Sequence, residues 1–458
     1  MSGKRGDRGV KILALFLLAG ASAGAGCAGP SYDTVDAAYW QGDPEAVIEA
    51  YKGAMDDPSP NAPLGVEKML SAALLEHNWQ DAESYAVRAS TLVNIFVAGE
   101  PGERDALSLF GQEKDKPFKG EPHERVMVDY YLGLLRFRRG DYEGALSAFR
   151  SAMNKDRGSF LLPVQPEAAQ ESSDNVQRYL YEDDYSILSI LAAKCSQLLE
   201  EPSDAERYLE RAASIRPELR PIFNEVMDPR TNVLVFIDAG QAPYKRRIGP
   251  QGAILGYVRG ASARVDGVRF GPHDLSFAQC EDLYEQATTV GGRRVDEINR
   301  EKAQKQEILH MAGFAAATAG SMAAIIGSQS GNRNMQTAGL IGMGIGIAAM
   351  IFAATAIDPG ADLRAWTMLP GQIYLAVGRA EPGTRLDLTV RAHGMGDLTQ
   401  EWTGVDIRDG VNLYWVRLMP GRRGGPATPP APATPAPATP AAPEAPPAEA
   451  AGPPASPP

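Results

Sequence analysis

Cysteine and histidine are scarce in this chain, at three and five residues among 458. The histidines are His77, His123, His273, His310 and His393. None has a second histidine or a cysteine at metal-ligand spacing, so no zinc-type site is encoded and each reads as a packing or surface residue. Positive charge is short as well. Lys and Arg total 45 against 57 Asp and Glu, a net charge of −12. An acidic body argues against nucleic acid or an anionic membrane surface as a partner. Phosphate-loop chemistry is missing: the glycines between Gly339 and Gly346 follow no strand and precede no Lys-Ser/Thr. The adjacent carboxylates Asp56-Asp57, Asp183-Asp184 and Glu200-Glu201 read as solvated pairs rather than acid/base pairs. A G-x-S-x-G match at Gly20, Ser22 and Gly24 falls in a leader segment and carries no catalytic meaning. No cofactor motif and no catalytic set emerge, so the expectation is a protein that is not an enzyme and holds no cofactor.

The leader spans residues 1–26. Lys4, Arg5, Arg8 and Lys11 precede the apolar run ILALFLLAGASAGAG, and small residues lead up to Cys27. This is the layout of an export signal. Four basic residues against Asp7 give the leader +3, which leaves −15 for the rest. The stretch resembles a bacterial lipoprotein signal: Ala25-Gly26-Cys27 fits its final positions, while Gly24 stands where that family usually has Leu. The resemblance implies cleavage before Cys27 and acyl lipid (palmitate-type) on that residue. Ala28 comes next, rather than an Asp that would favour inner-membrane retention, so the expected address is the periplasmic face of the envelope, outer membrane before inner. In an exported protein Cys195 and Cys280 could pair or stay as buried thiols.

Residues 31–220 carry an internal repeat. The clearest copy is YYLGLLRFRRGDYEGALSAFRSAMNKD, in which Gly140-Asp141-Tyr142 closes one helix and opens another. That second helix puts Ala145, Leu146, Phe149 and Ala152 on one face. The unit resembles the tetratricopeptide repeat, a helix pair of roughly 34 residues. Weaker copies sit at Gly42-Asp43, at His77-Asn78-Trp79, and around Ala205, Leu209 and Ala212 before Pro217. The first two stand at the repeat period and the later spacings are nearly double it. Such pairs stack into an α-solenoid whose groove holds a peptide or protein segment; the alternative is that the helices only support the C-terminal half of the chain.

From Thr231 the pattern changes. TNVLVFIDAG has the β-branched density of a buried strand. Short strand signals continue to residue 275, and a charged helix from Val290 brings residues 231–308 to a close. Residues 309–357 form two uncharged arms around the polar turn SQSGNRNMQ. Small residues recur every fourth position: Ala316, Gly320 and Ala324 in one arm with Gly313, Ala317 and Ser321 on the line beside them, and Ala338, Gly342 and Gly346 in the other. Faces without side chains let two backbones approach, a glycine-zipper-like helical hairpin. Each mid-helix Gly costs about 1 kcal/mol against Ala, so the glycines imply a partner helix. The apolar residues of the second arm contribute about −2 to −4 kcal/mol toward insertion in a bilayer and those of the first about half that. Burial in protein, within or between subunits, and membrane insertion therefore both stay open.

A β module covers residues 358–420, with strands in QIYLAVGR, TRLDLTV, GVDI and VNLYWVRL. Residues 421–458 are Pro/Ala/Thr repeats with nothing large enough to build a core, which predicts an extended disordered tail. Two motifs stand out: Gly240, Ala242, Pro243 and Lys245 after a strand, and Asp362, Arg364, Trp366, Leu369 and Pro370 after the hairpin. Together they resemble an uncharacterised family of bacterial envelope lipoproteins with repeats at the front. That resemblance implies a scaffold supporting envelope assembly or peptidoglycan synthesis. By chemistry alone, the second motif reads as a structural Asp–Arg pair with a buried Trp.

The sequence thus predicts an α+β chain: a tetratricopeptide-like α-solenoid, then a small β module with an inserted Gly/Ala-rich hairpin. The expected role is a lipid-anchored protein-binding scaffold with an unknown envelope partner in the repeat groove. The alternative is a membrane-embedded oligomer or pore component built on the hairpin.

Overall fold

The computed structural model describes residues 34–57, 59–97, 117–157, 185–248, 254–289, 294–356, 362–394 and 398–419. The leader, Cys27 and the tail from 421 lie outside the described residues. Helices come first and strands after, the order of an α+β chain.

The helices come in pairs: α1 (Thr34–Trp40) with α2 (Pro44–Tyr51), α3 (Ala62–Leu75) with α4 (Trp79–Val97), α5 (Pro122–Arg138) with α6 (Tyr142–Arg157), and α7 (Ser186–Leu198) with α8 (Pro202–Ile215). A short α9 (Arg220–Met227) comes after them. One turn recurs in all four pairs. Gly42, His77, Gly140 and Glu200 each adopt a left-handed φ, at 84°, 58°, 86° and 60°. The next residue's N–H then bonds five residues back: Asp43 to Ala38, Asn78 to Ala73, Asp141 to Arg136 and Glu201 to Ser196. This double closure is the Schellman stop. In three of the turns the same residue caps the following helix: Asp43, Asn78 and Asp141 accept from Ala46, Asp81 and Gly144. One polar residue thus ends one helix and starts the next. Between α5 and α6, a Cβ at Gly133 would stand 2.2 Å from the Phe149 ring, so the two helices meet at closest approach there.

The first helix of each later pair is buried nearly all round. In α3 every residue except Leu64 is buried, and in α7 Ser186 through Ser196 all are. A four-stranded sheet lies against α5 and α7, and Trp366, from the segment leading into that sheet, reaches Ser71 on α3. The order of the sheet is β10 (Asn412–Arg417), β1 (Val233–Ala239), β7 (Gln372–Gly378), β6 (Ser276–Asp282), with β1 and β10 parallel and the other pairs antiparallel. Strand alternation divides β1 between two cores. Leu234 and Phe236 join the helices, while Val233, Val235 and Ile237 face a second sheet. That sheet runs β5 (His273–Asp274), β4 (Arg264–Phe270), β8 (Arg385–His393), β9 (Leu398–Asp406), and contributes Val268, Phe270, Val390 and Trp402. A hairpin of β2 (Tyr244–Ile248) and β3 (Ile254–Val258) completes the strands described. The layers are therefore helices, sheet, sheet, and the helices share one apolar core with the inner sheet.

Between β6 and β7 the chain makes α10 (Leu283–Thr289), then α11 (Arg294–Ser330, 37 residues) and α12 (Arg333–Ala356, 24 residues). Gly331, at φ 70°, ends α11, and Asn332 caps α12 by accepting from the Met335 N–H. At 1.5 Å per residue α11 is about 55 Å long. It lies against α12 and also touches β3.

Candidate functional site

The segment Asp362–Pro370 runs from the long helices into the central strand β7 and ties the layers together. Asp362 accepts from the backbone N–H of Arg364 at 2.9 Å and from its guanidinium at 2.7 and 3.0 Å. Arg364 reaches on to Asn61 Oδ1 at 2.7 Å. Trp366 is 1% exposed. Its backbone N–H donates to Glu124 Oε1 on α5 at 2.7 Å, and its indole N–H donates to Ser71 Oγ on α3 at 2.8 Å. Thr367 donates to Asp36 on α1, and Asp36 in turn pairs with Lys68 on α3 at 2.6 Å.

The two motifs singled out in the sequence meet here. Lys245 Nζ donates to the Arg364 carbonyl at 2.6 Å and lies 3.3 Å from both Glu121 and Glu124. The Ala242 N–H donates to the Leu369 carbonyl at 2.9 Å. Gly240, at φ 71°, passes so close to Ala261 that a Cβ would stand 2.5 Å from its carbonyl oxygen. Leu369 and Pro370 are buried at the mouth of the sheet. Beneath this lies Glu67, wholly buried. Burial first, and the nearby Glu124 second, push its carboxyl well above the usual range, against the pull of Lys245, Lys155 and Lys68.

A second polar knot sits on the inner sheet. Asp238 accepts from Tyr131 Oη on α5 at 2.6 Å and from Trp415 Nε1 at 3.1 Å, and it faces Arg417 across the β1–β10 pair. Burial raises its carboxyl to about 6, although Arg417 and these two donors oppose the rise. Arg417 donates to the carbonyls of Met368 and Leu369 at 3.3 and 3.2 Å, linking the knot to the 362–370 segment.

Sequence reasoning named the motif residues but missed Asp36, Glu67, Glu124, Asp238 and Arg417. For Asp36, Glu67, Asp238 and Arg417 the signal is a charge within an apolar run, as in GVEKMLSAALL and VLVFIDAG; Glu124 sits in the more charged helix PHERVMVDYYLGLLRFR and gave no such signal.

The long helices pack by the smallest residues available. A Cβ at Gly320 would lie 2.3 Å from the Met343 nitrogen, one at Gly339 2.3 Å from the Ala324 nitrogen, and one at Gly327 2.4 Å from the Gln336 nitrogen. The helices are antiparallel along this seam. Of the residues expected to pack, Gly320, Ala324 and Gly342 lie on it, and Ala316 is half-buried beside it. Ala338 is exposed instead; Gly339 takes the seam, because contact with α11 lies one residue further round the helix. Gly327 was not anticipated. The surroundings of Gly313 and Gly346, like Cys27, lie outside the described residues.

The outer side of this pair is apolar and bare. Phe314 is 67% exposed, Ile345 63% and Ile341 58%. Among the described residues, ten of the thirteen large apolar side chains left exposed belong to these two helices, so the bare surface is concentrated there. Among the described residues, no helix is long and apolar enough to cross a membrane. Cys195 and Cys280 are both free and buried, and burial pushes both thiols up. An open polar hollow of about 480 Å³ lies between α6 and the start of α8, lined by Glu143, Arg150 and Glu201, away from both polar knots. Among the described residues, no group of three or more His, Cys, Asp or Glu is placed to hold a metal.

Most of these polar groups bond one another across elements far apart in the chain, which suits the arrangement to holding layers in register; the Glu67 carboxyl, buried with no hydrogen-bond partner on either oxygen among the described residues, is the exception. No known protein family matches this chain, and no curated protein matches it.

Proposed function

We infer that the protein is a lipid-anchored scaffold of the cell envelope that acts by contact rather than by reaction. In this reading acyl lipid on Cys27 tethers the chain, and the helix pairs are a tetratricopeptide-like solenoid. The solenoid's usual binding groove is occupied by the chain's own β module. Contact with other envelope components then falls to the glycine-packed hairpin inserted in that module. The single observation that supports this best is the contrast in burial. The first helices, which would line a groove, are buried within the core they share with the inner sheet, while the large apolar residues still exposed crowd onto α11 and α12. A role in envelope assembly or peptidoglycan synthesis is consistent with such a scaffold.

Two measurements test the reading. Cells fed a clickable fatty acid should label the wild-type chain and not Cys27→Ser, and the variant should leave the membrane fraction. In-cell crosslinking should capture an envelope component, and the capture should fail when Phe314 and Ile347 are changed to Ser. Absence of acyl label, or capture that ignores the hairpin changes, would sink it.

A further inference from the structure

We propose that the bare side of the α11–α12 pair is covered by the same pair from a second copy of this chain, giving a four-helix contact between subunits. The proposal rests on the scaffold reading and names the partner of its contact surface.

Three observations favour a second copy. The first is the surface itself. Helical spacing, combined with the antiparallel seam, puts Phe314 and Ile325 of α11 on the same flank as Leu340 and Ile347 of α12. Ile341 and Ile345 continue it around the outer edge. These six side chains, at on the order of 100 Å² apiece, give about 600 Å², the top of the range usual for the largest apolar patch of a monomer. That is most of the roughly 800 Å² per partner that a stable interface takes. The flank has no charge of its own to select an ionic partner: between Leu309 and Ile357 the only formally charged residue is Arg333, at the tip. An uncharged apolar face is its own best complement.

The second observation is Gly344. It lies on the outer side of α12, and a Cβ there would meet nothing within 4 Å. Gly320, Gly327 and Gly339 are required by the seam; nothing among the described residues requires Gly344. A mid-helix glycine costs about 1 kcal/mol against Ala. Close approach by another helix gives that bare backbone a purpose, as the seam does for the other three.

The third observation concerns lipid as the competing cover. The turn of the pair, Ser328–Asn334, is exposed and polar throughout and includes Arg333. Dipping the pair into hydrocarbon tip-first would carry that whole turn with it, at several kcal/mol for the unpaired polar groups and the charge. Against a second copy the turn stays in water while the flanks are covered.

The test uses the full mature chain with Cys27→Ser, so that no acyl group drives association. Sedimentation and light scattering should give at least twice the chain mass. Phe314→Glu with Ile347→Glu should return it to the single-chain mass with helix content unchanged, because both side chains are exposed in the single subunit. Gly344→Leu should also weaken association, whereas a purely intrachain role predicts no change. A cysteine placed at Ile341 should crosslink between subunits, since Cys195 and Cys280 are buried. A single-chain mass for the Cys27→Ser protein would overturn the proposal. So would association that survives both glutamates, which would put the interface elsewhere. So would flotation of a monomeric Cys27→Ser chain with phosphatidylethanolamine/phosphatidylglycerol vesicles, which would make lipid the cover. Fatty-acid labelling and envelope capture are read separately, so failure of the anchored-scaffold reading leaves the mass result standing on its own.

Discussion

Replacing Lys245 with Ala should release the helical layer from the sheet. The ammonium is 3% exposed, sits 3.3 Å from the carboxylates of Glu121 and Glu124, and donates to the Arg364 carbonyl at 2.6 Å. Truncation removes the nearest cation and leaves Glu124, which is 1% exposed, facing the wholly buried Glu67 with only the more weakly acting Lys155 and Lys68 to offset them. Breaking a buried pair from one side costs about 3–5 kcal/mol. The orphaned carbonyl adds about 1 kcal/mol more. For a chain this long, each kcal/mol moves Tm by roughly 2–4 °C, so a fall on the order of 10 °C is expected. The defect should shrink in acid. A buried carboxylate stripped of its cation takes up a proton, and protonation removes the uncompensated charge. Urea denaturation at neutral pH and near pH 4.5 measures both effects. The double variant Lys245→Met with Glu124→Gln should regain most of the loss, since both charges leave together. A loss below about 1 kcal/mol at neutral pH, or no recovery in the double variant, would refute the view that these charges hold the layers together.

Asp238→Asn should flatten the acid side of the stability profile. The native carboxyl titrates near 6 against 3.8 unfolded, so the folded state holds the extra proton between those values. Stability is fully present below about pH 4 and declines by about 3 kcal/mol as pH rises through 6, and Asn, which keeps an acceptor for Tyr131, should abolish that decline; a profile unchanged in Asn would count against it. Trp366→Phe keeps the ring but strands Ser71 Oγ, and should lose about 1–2 kcal/mol by denaturant titration; Trp366→Ala should lose about 3–5 kcal/mol. Gly339→Val places a Cβ 2.3 Å from backbone and should open the seam, seen as lost hydrogen-exchange protection across 309–357; unaltered protection would mean the helices do not meet there.

Much of this architecture was legible because short patterns carried it. Gly42-Asp43 and Gly140-Asp141 announced their turns, since glycine is the usual left-handed stop. His77 and Glu200 occupy the same conformation without the usual residue, so only the repeat period exposed His77 and the last turn had to be inferred from the alanines after it. The buried strand TNVLVFIDAG was plain, but its two neighbours, β7 and β10, lie more than a hundred residues downstream, and local periodicity carries no record of pairing at that range. The motif residues 240–245 and 362–370 were each visible; their contact was not, because Lys245 reaches a backbone carbonyl, which no side-chain pattern encodes. Helical spacing put small residues in the seam yet left its phase open by one position, and that decided between Ala338 and Gly339. An amphipathic helix with an apolar inner face looks the same whether a visiting peptide or the chain's own sheet covers it, so the packing of the helices on the inner sheet was not legible.

The parallel pairing of Val233–Ala239 with Asn412–Arg417 sets the order of events during biogenesis. The helices emerge first, yet the strand that flanks β1 is made almost last. Until it arrives, β1, β7 and β6 can pair and cover the helices, but the outer side of β1 has no partner. A stop codon between residues 378 and 412 should therefore yield a product that keeps three strands of the inner sheet and leaves one side of β1 unpaired, an open edge ready to pair with another chain.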